Sequence, residues 1–378
     1  MRAGPATGAS LDADPAAPTG GPALLDARGI TVNYRVRNRR GGRHRIVSAV
    51  DHVDLSVAPG ETLGLVGESG CGKTTIGRAL IGRVPLSDGR IEFDGRDVTH
   101  SSRKEWRALH RDIQLVFQNP YASMNPRMRV RDIIGEPLRV HGIARGPELR
   151  TQVDELLDMV RLPHSAGDRY PHAFSGGQRQ RVVIARALAL KPKFVVADEP
   201  VSALDVSIQA QIIGLMQDLQ RDLGVSYLFI AHNLAVVKHI AHRVAVMYLG
   251  HMVEIANKDD LYRTPLHPYT QALLSAAPVP DPTVERPARI ILSGDPPSAM
   301  APPSGCRFHT RCPLAIAKCA VETPPLIELL PGHRAACWVA QEQVAGAGPN
   351  LTKTAPAQAA NTDVSAVGSP SATGGTSA

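Results

Sequence analysis

Five short apolar runs punctuate the chain, at residues 62–66, 113–117, 194–198, 227–231 and 244–248. Their length predicts strands. Between them, apolar positions recur with helical spacing near 73–82, 146–161, 177–190, 206–222 and 234–241. Such alternation predicts an α/β fold around a largely parallel sheet. The stretch from about 105 to 190 departs from it, with several helical patterns and one clear strand. From about residue 262 the composition shifts to Pro and Cys, which predicts a separate C-terminal element. Both ends break the pattern. Residues 1–24 and 343–378 are rich in Ala, Gly, Pro, Ser and Thr. Segments so poor in large apolar side chains cannot offset chain entropy, so disordered tails are expected there.

Composition narrows the class. The 378 residues are 43% hydrophobic and 20% charged, enough for a large core and more than one domain. No apolar run reaches the roughly 18 residues that would mark a spanning helix. Met1 to Gly21 lacks an apolar centre and carries Asp12 and Asp14, so it does not read as a secretory signal, and a cytosolic protein is expected. The net charge of +7 fits nucleic acid, a membrane surface or a nucleotide ligand. Arg35, Arg37, Arg39, Arg40, Arg43 and Arg45 surround a Gly41-Gly42 turn. They read as a solvated hairpin tip, with contact to anionic lipid headgroups as the sharper alternative.

The chemistry starts at Gly67-Glu68-Ser69-Gly70-Cys71-Gly72-Lys73-Thr74, between the strand Thr62–Val66 and a helix that takes in Thr75. Glycines such as Gly67, Gly70 and Gly72 let backbone N–H groups turn toward an anion, and the helix start adds its dipole. Lys73 is expected on the β- and γ-phosphates of a nucleotide, and the Thr74 hydroxyl on Mg²⁺. The strand Phe194–Asp198 ends at the carboxylate pair Asp198-Glu199. Strand ends are where α/β sheets place ligands. Asp198 is expected at the Mg²⁺ water shell and Glu199 as general base for the attacking water. Gln118 and His232 each follow an apolar strand.

Between the two halves of this site lies Ser175-Gly176-Gly177-Gln178. It is needed to build neither half. With the phosphate loop before it and the acidic strand after it, the chain resembles the ATP-binding-cassette (ABC) ATPases over roughly residues 25–260. The resemblance implies an ABC-type P-loop ATPase: a mixed sheet core, an antiparallel β subdomain, a helical subdomain and here a small cysteine-containing C-terminal element. It implies domain bounds of 25–261 and 262–342. It casts Gln118 as a sensor of Mg²⁺ and γ-phosphate, His232 as the switch histidine, and Tyr34 as the adenine-stacking candidate. Ser175, Gly176, Gly177 and Gln178, with Asp205 of the Ser202–Asp205 loop, are implied to meet ATP held by a second ATPase subunit. Asn233 stands where the family usually has Asp, and Phe174 where Leu is commoner.

A narrower likeness follows. Phe117–Met128 and Asp198–Gln211 resemble peptide-importer ATPases, in the "F"-type version of the oligopeptide and dipeptide systems. His267-Pro268-Tyr269-Thr270 and Gly305–Pro313 recur in that subfamily. The likeness implies a heterodimer with a second ATPase, two integral membrane permease subunits and an extracytoplasmic substrate-binding protein. It implies a peripheral place on the cytoplasmic face of the inner membrane, with no nucleic acid partner. A soluble ABC ATPase of DNA repair or ribosomes is the alternative class; such proteins usually carry two cassettes or a long coiled-coil insertion, and neither is present. Cys306, Cys312, Cys319 and Cys337 crowd the Pro-rich element without a Cys-x-x-Cys pair. Subfamily members with a [4Fe–4S] cluster favour that ligand over zinc or free thiols.

Overall fold

The computed structural model describes residues 21–37, 44–276 and 289–347. The tips of the arginine-rich hairpin, Arg39 to Arg43, and most of both expected tails lie outside the described residues.

Strands β1 (Leu25–Arg37), β2 (His44–Val57), β4 (Asp88–Phe93) and β5 (Arg96–Asp97) form an antiparallel sheet in the order β2-β1-β4-β5. The remaining strands are β3 (Thr62–Val66), β6 (Ile113–Val116), β7 (Phe194–Asp198), β8 (Ser226–Ala231), β9 (Arg243–Tyr248), β10 (His251–Asn257), β11 (Ile327–Leu330) and β12 (His333–Ala335). They make a second sheet in the order β11-β12-β10-β9-β3-β8-β7-β6. Pairing is parallel from β6 to β9 and antiparallel from β9 to β11, so this sheet is mixed.

Each central strand divides its side chains between two cores. Phe194 and Val196 of β7 join one, Val195 and Ala197 the other. In β8, Leu228 and Ile230 oppose Tyr227 and Phe229 in the same way. A strand buried on both faces reads as a continuous apolar run, which is why these strands were legible. One core lies against the antiparallel sheet and α1 (Lys73–Leu80). The other packs on a helical region built from α4 (Val130–Val140), α5 (Gly146–Met159) and α6 (Gly176–Leu188). Before these helices come α2 (Arg103–Leu109) and the short α3 (Pro120–Ser123). After them come α7 (Val206–Leu223) and α8 (Leu234–Ile240).

The C-terminal segment holds α9 (Lys258–Arg263), α10 (Pro268–Ser275), α11 (Ala317–Val321) and α12 (Trp338–Ala347). It is less separate than its composition suggests. The boundary expected at 262 falls inside α9, and α12 runs past 342. β11 and β12 extend the central sheet, and Tyr269 and Phe308 sit in its core. A buried carboxylate makes the joint. Glu254 of β10 accepts from the amides of Leu266 and His267 at 2.7 and 3.0 Å, and His333 Nε2 lies 2.7 Å away. Burial pushes His267 down to about 4, so its ring is neutral and Nδ1 accepts from the Tyr269 amide at 3.0 Å, starting α10. A Pro and Cys content is no guide to autonomy when the element borrows a neighbour's sheet and core.

Candidate functional site

The ends of β3, β6, β7 and β8 bring the expected hydrolytic residues together. The loop after β3 turns into α1 at Gly72, whose φ of 109° is left-handed. A Cβ there would lie 2.3 Å from the Ala49 carbonyl oxygen, so only glycine fits. No side chain caps α1, which leaves its opening amides for a ligand. Lys73 is buried, and its ammonium donates to the carbonyls of Gly67 and Glu68 at 2.7 and 2.9 Å. Thr75 follows Thr74 in the first turn of α1.

The Thr74 hydroxyl donates to Asp198 Oδ1 at 2.9 Å. Asp198 is buried, and that burial pushes its carboxyl above the usual range, against the Thr74 bond that lowers it. A divalent cation beside it would reverse the sign by favouring the carboxylate. Glu199 is held at φ 47°, left-handed for a non-glycine residue and costing on the order of 1–3 kcal/mol. Its amide donates to Ile230 O of β8 at 3.0 Å, which fixes the turn. Its carboxylate accepts from Gln118 Nε2 at 2.9 Å and lies 3.5 Å from His232 Nδ1. Gln118 and His232 are exposed, so one carboxylate gathers two side chains that can still move. Asn233 caps α8 by accepting from the Ala235 amide at 2.8 Å, a task Asn performs as well as Asp.

The signature segment stands differently. Ser175 and Gln178 form a reciprocal capping box at the start of α6, with bonds of 3.3 and 3.1 Å. Gly176 is exposed. Gly177 is buried, and a Cβ on it would lie 2.5 Å from Ile208 Cγ2, so its smallness serves packing against α7 as well as backbone access. Asp205 caps α7, accepting from the Ile208 amide at 3.0 Å and the Ser207 hydroxyl at 2.7 Å. Tyr34 is 42% exposed on β1, opposite Val47. Phe174 is buried, with the Arg169 guanidinium 4.9 Å over its ring.

Sequence reasoning missed the ties between these parts. Arg186 of α6 donates to Ser123 O at 2.7 Å and to Glu136 at 2.8 Å, joining the signature helix to the segment after Gln118. Arg179 of the same helix lies 4.0 Å over the Tyr121 ring. Only the seven-residue spacing of these two arginines, which puts them on one side of α6, could have signalled the ties.

The four C-terminal cysteines share a neighbourhood. The Cys306 amide donates to Cys319 O at 2.8 Å. Burial pushes the thiols of Cys306 and Cys312 up to about 11 and about 12, and raises that of Cys337, with nearby thiols adding to each. Yet among the described residues no group of three or more Cys, His, Asp or Glu side chains is placed to hold a metal ion.

Comparison with known proteins places this architecture. The ABC transporter family matches residues 50–202, and the oligopeptide/dipeptide transporter C-terminal region matches 253–319. The chain is 53% identical to the oligopeptide transport ATP-binding protein OppF of Salmonella typhimurium over 78% of its length and 88% of the relative's. It is 50% identical to OppF of Escherichia coli K12 over 83% of its length and 95% of the relative's. Among solved structures, the ATP-binding cassette MJ0796 bound to ADP and Pi superposes with a TM-score of 0.56 at 27% identity, covering 62% of this chain and 99% of that one. The fold is that of an ABC ATPase, an enzyme that hydrolyses ATP with Mg²⁺. The chain belongs to the ABC transporter family, in the branch that carries the oligopeptide/dipeptide transporter C-terminal region.

Proposed function

We propose that this chain is the ATP-hydrolysing subunit of an importer that energises the uptake of di- and oligopeptides. The reading that carries this is the gathering of Gln118 and His232 on Glu199 beside the Thr74–Asp198 pair. In the ATP-bound state Lys73 leaves the loop carbonyls for the phosphates. Thr74 and Asp198 would hold Mg²⁺, which supplies charge neutralisation at the phosphates. Glu199 accepts a proton from water as the water oxygen bonds to the γ-phosphorus and the bond to the ADP oxygen breaks. Gln118 and His232 orient water and phosphate, and Tyr34 stacks on adenine. Ser175, Gly176, Gly177, Gln178 and Asp205 meet the ATP of a second, different ATPase subunit.

The relatives' transport names and the C-terminal region support import over the soluble alternative. Among the described residues no helix is long and apolar enough to cross a membrane, which fits a peripheral subunit. The partners proposed are two permease subunits and an extracytoplasmic binding protein, with the chain on the cytoplasmic face of the inner membrane. Glu199→Gln, expressed at full length and isolated from detergent-solubilised membranes, tests both claims. Integral membrane subunits should co-purify, and ATP turnover should fall about 10²–10⁴-fold with binding retained. Ribosomes or DNA in their place would overturn import. Turnover within a few-fold of wild type would overturn the role of Glu199.

For the cysteines the finer reading is a [4Fe–4S] staple, supported by four thiols in one loop-rich element. Protein purified without oxygen should carry iron and acid-labile sulfide, and Cys312→Ser should lose both. Colourless protein with one tight zinc, or with four titratable thiols, would overturn the cluster.

A further inference from the structure

The phosphate loop is gripped from the C-terminal segment. The Glu68 amide donates to the Tyr269 hydroxyl at 2.9 Å. The Glu68 carboxylate accepts from one terminal nitrogen of Arg311, with both oxygens at 3.0 Å. That nitrogen also lies 3.4 Å from the Tyr248 hydroxyl. Tyr248, Tyr269 and Phe308 pack with ring centroids 4.8, 5.2 and 5.4 Å apart, and the guanidinium reaches the loop beside this aromatic wall. The Arg311 side chain is only 9% exposed, so water screens the pair far less than at an open surface.

The residue so held has a task in the cycle. The Glu68 carbonyl is one of the two that accept from Lys73, the group that moves to the phosphates. A second grip runs parallel. Arg307 donates to Leu249 O and to Asp51, and the next residue, Gly250, donates its amide to Cys71 O of the loop at 2.8 Å. Both arginines come from the single turn between Cys306 and Cys312: Arg311 touches the loop directly across 243 positions, and Arg307 reaches it only by way of Leu249 and Gly250.

We infer that Arg311 is a positioning residue of the ATP site, and that the C-terminal segment, through Arg311 and Tyr269, sets the geometry of the phosphate loop. Arg311 touches no phosphate; it holds Glu68, and Glu68 carries the carbonyl that parks Lys73. The inference rests on reading residues 67–74 as the phosphate cradle.

The test uses the full chain, with equilibrium Mg·ATP binding and steady-state hydrolysis in the assembled transporter. Lys73→Ala checks the cradle and should abolish tight Mg·ATP binding. Arg311→Met should raise the Kd and KM for Mg·ATP on the order of tenfold, with kcat far less affected. Arg311→Lys should recover part of the loss. Glu68→Gln should reproduce the shift, and the double variant should add little, because both remove one interaction. Should Arg311→Met fail to fold, Glu68→Gln carries the test, since its carboxylate is partly exposed. Wild-type Mg·ATP affinity in a folded Arg311→Met, or in Glu68→Gln, would overturn the inference while Lys73→Ala remains dead. Additive effects in the double variant would overturn it equally. Normal binding by Lys73→Ala would overturn the cradle reading, and this inference with it.

Discussion

Two helices of this protein begin beside a candidate phosphate, and they begin in different ways. α1 opens at Gly72 with no side chain on its first amides, and buried groups hold the loop before it from beneath. α6 opens at Ser175, where its own capping box satisfies the amides of Ser175 and Gln178. An open helix start forgoes the roughly 1 kcal/mol that a cap contributes, and gains an anion site in return. A capped and exposed start is stable without a ligand and can wait for a phosphate brought by another subunit. Under the proposed function, the contrast separates a site complete within one chain from one that needs a partner.

The sharpest way to break that contrast is Ser175→Arg. In a heterodimer it should lower hydrolysis of ATP on the partner's phosphate loop on the order of 10²-fold or more, by putting a long side chain where a preorganised donor belongs. Mg·ATP binding at Lys73 should be intact. Mixed complexes that place the defect in this chain's own Lys73 site would refute the assignment.

A smaller effect compares the glycines. In Gly72→Ala the new methyl meets a backbone oxygen at 2.3 Å in a left-handed turn, and neither can yield. In Gly177→Ala it meets the Ile208 methyl at 2.5 Å, which can shift. Denaturant unfolding should show Gly177→Ala losing about 1–3 kcal/mol, partly recovered by Ile208→Leu, and Gly72→Ala losing more, with no such rescue. Equal losses would mean that the two helix starts are equally rigid.

The sequence was most legible where burial is two-sided. Residues 62–66 and 194–198 match β3 and β7 end to end, because apolar runs bounded by turns have few other readings. β10 and β12 were not anticipated. Glu254 interrupts the apolar run of β10, and it is buried only because Leu266, His267 and His333 arrive from elsewhere. The catalytic candidates were legible because each sits at a fixed step from a strand end. The grip of Arg311 on Glu68 was not, since a contact across 243 positions leaves no local period to read.

Glu254 has a consequence for anyone who would cut this chain. Trimming at Arg263, just after α9, looks like a clean excision of the nucleotide-binding unit. It would instead strip a fully buried carboxylate of its donors, a loss on the order of 3–5 kcal/mol when the partner of a buried charge is removed. It would also bare the edge of β10 that β12 covers, and an unpaired strand edge invites other chains to add to it. The seam written in the composition is not where the molecule can be divided.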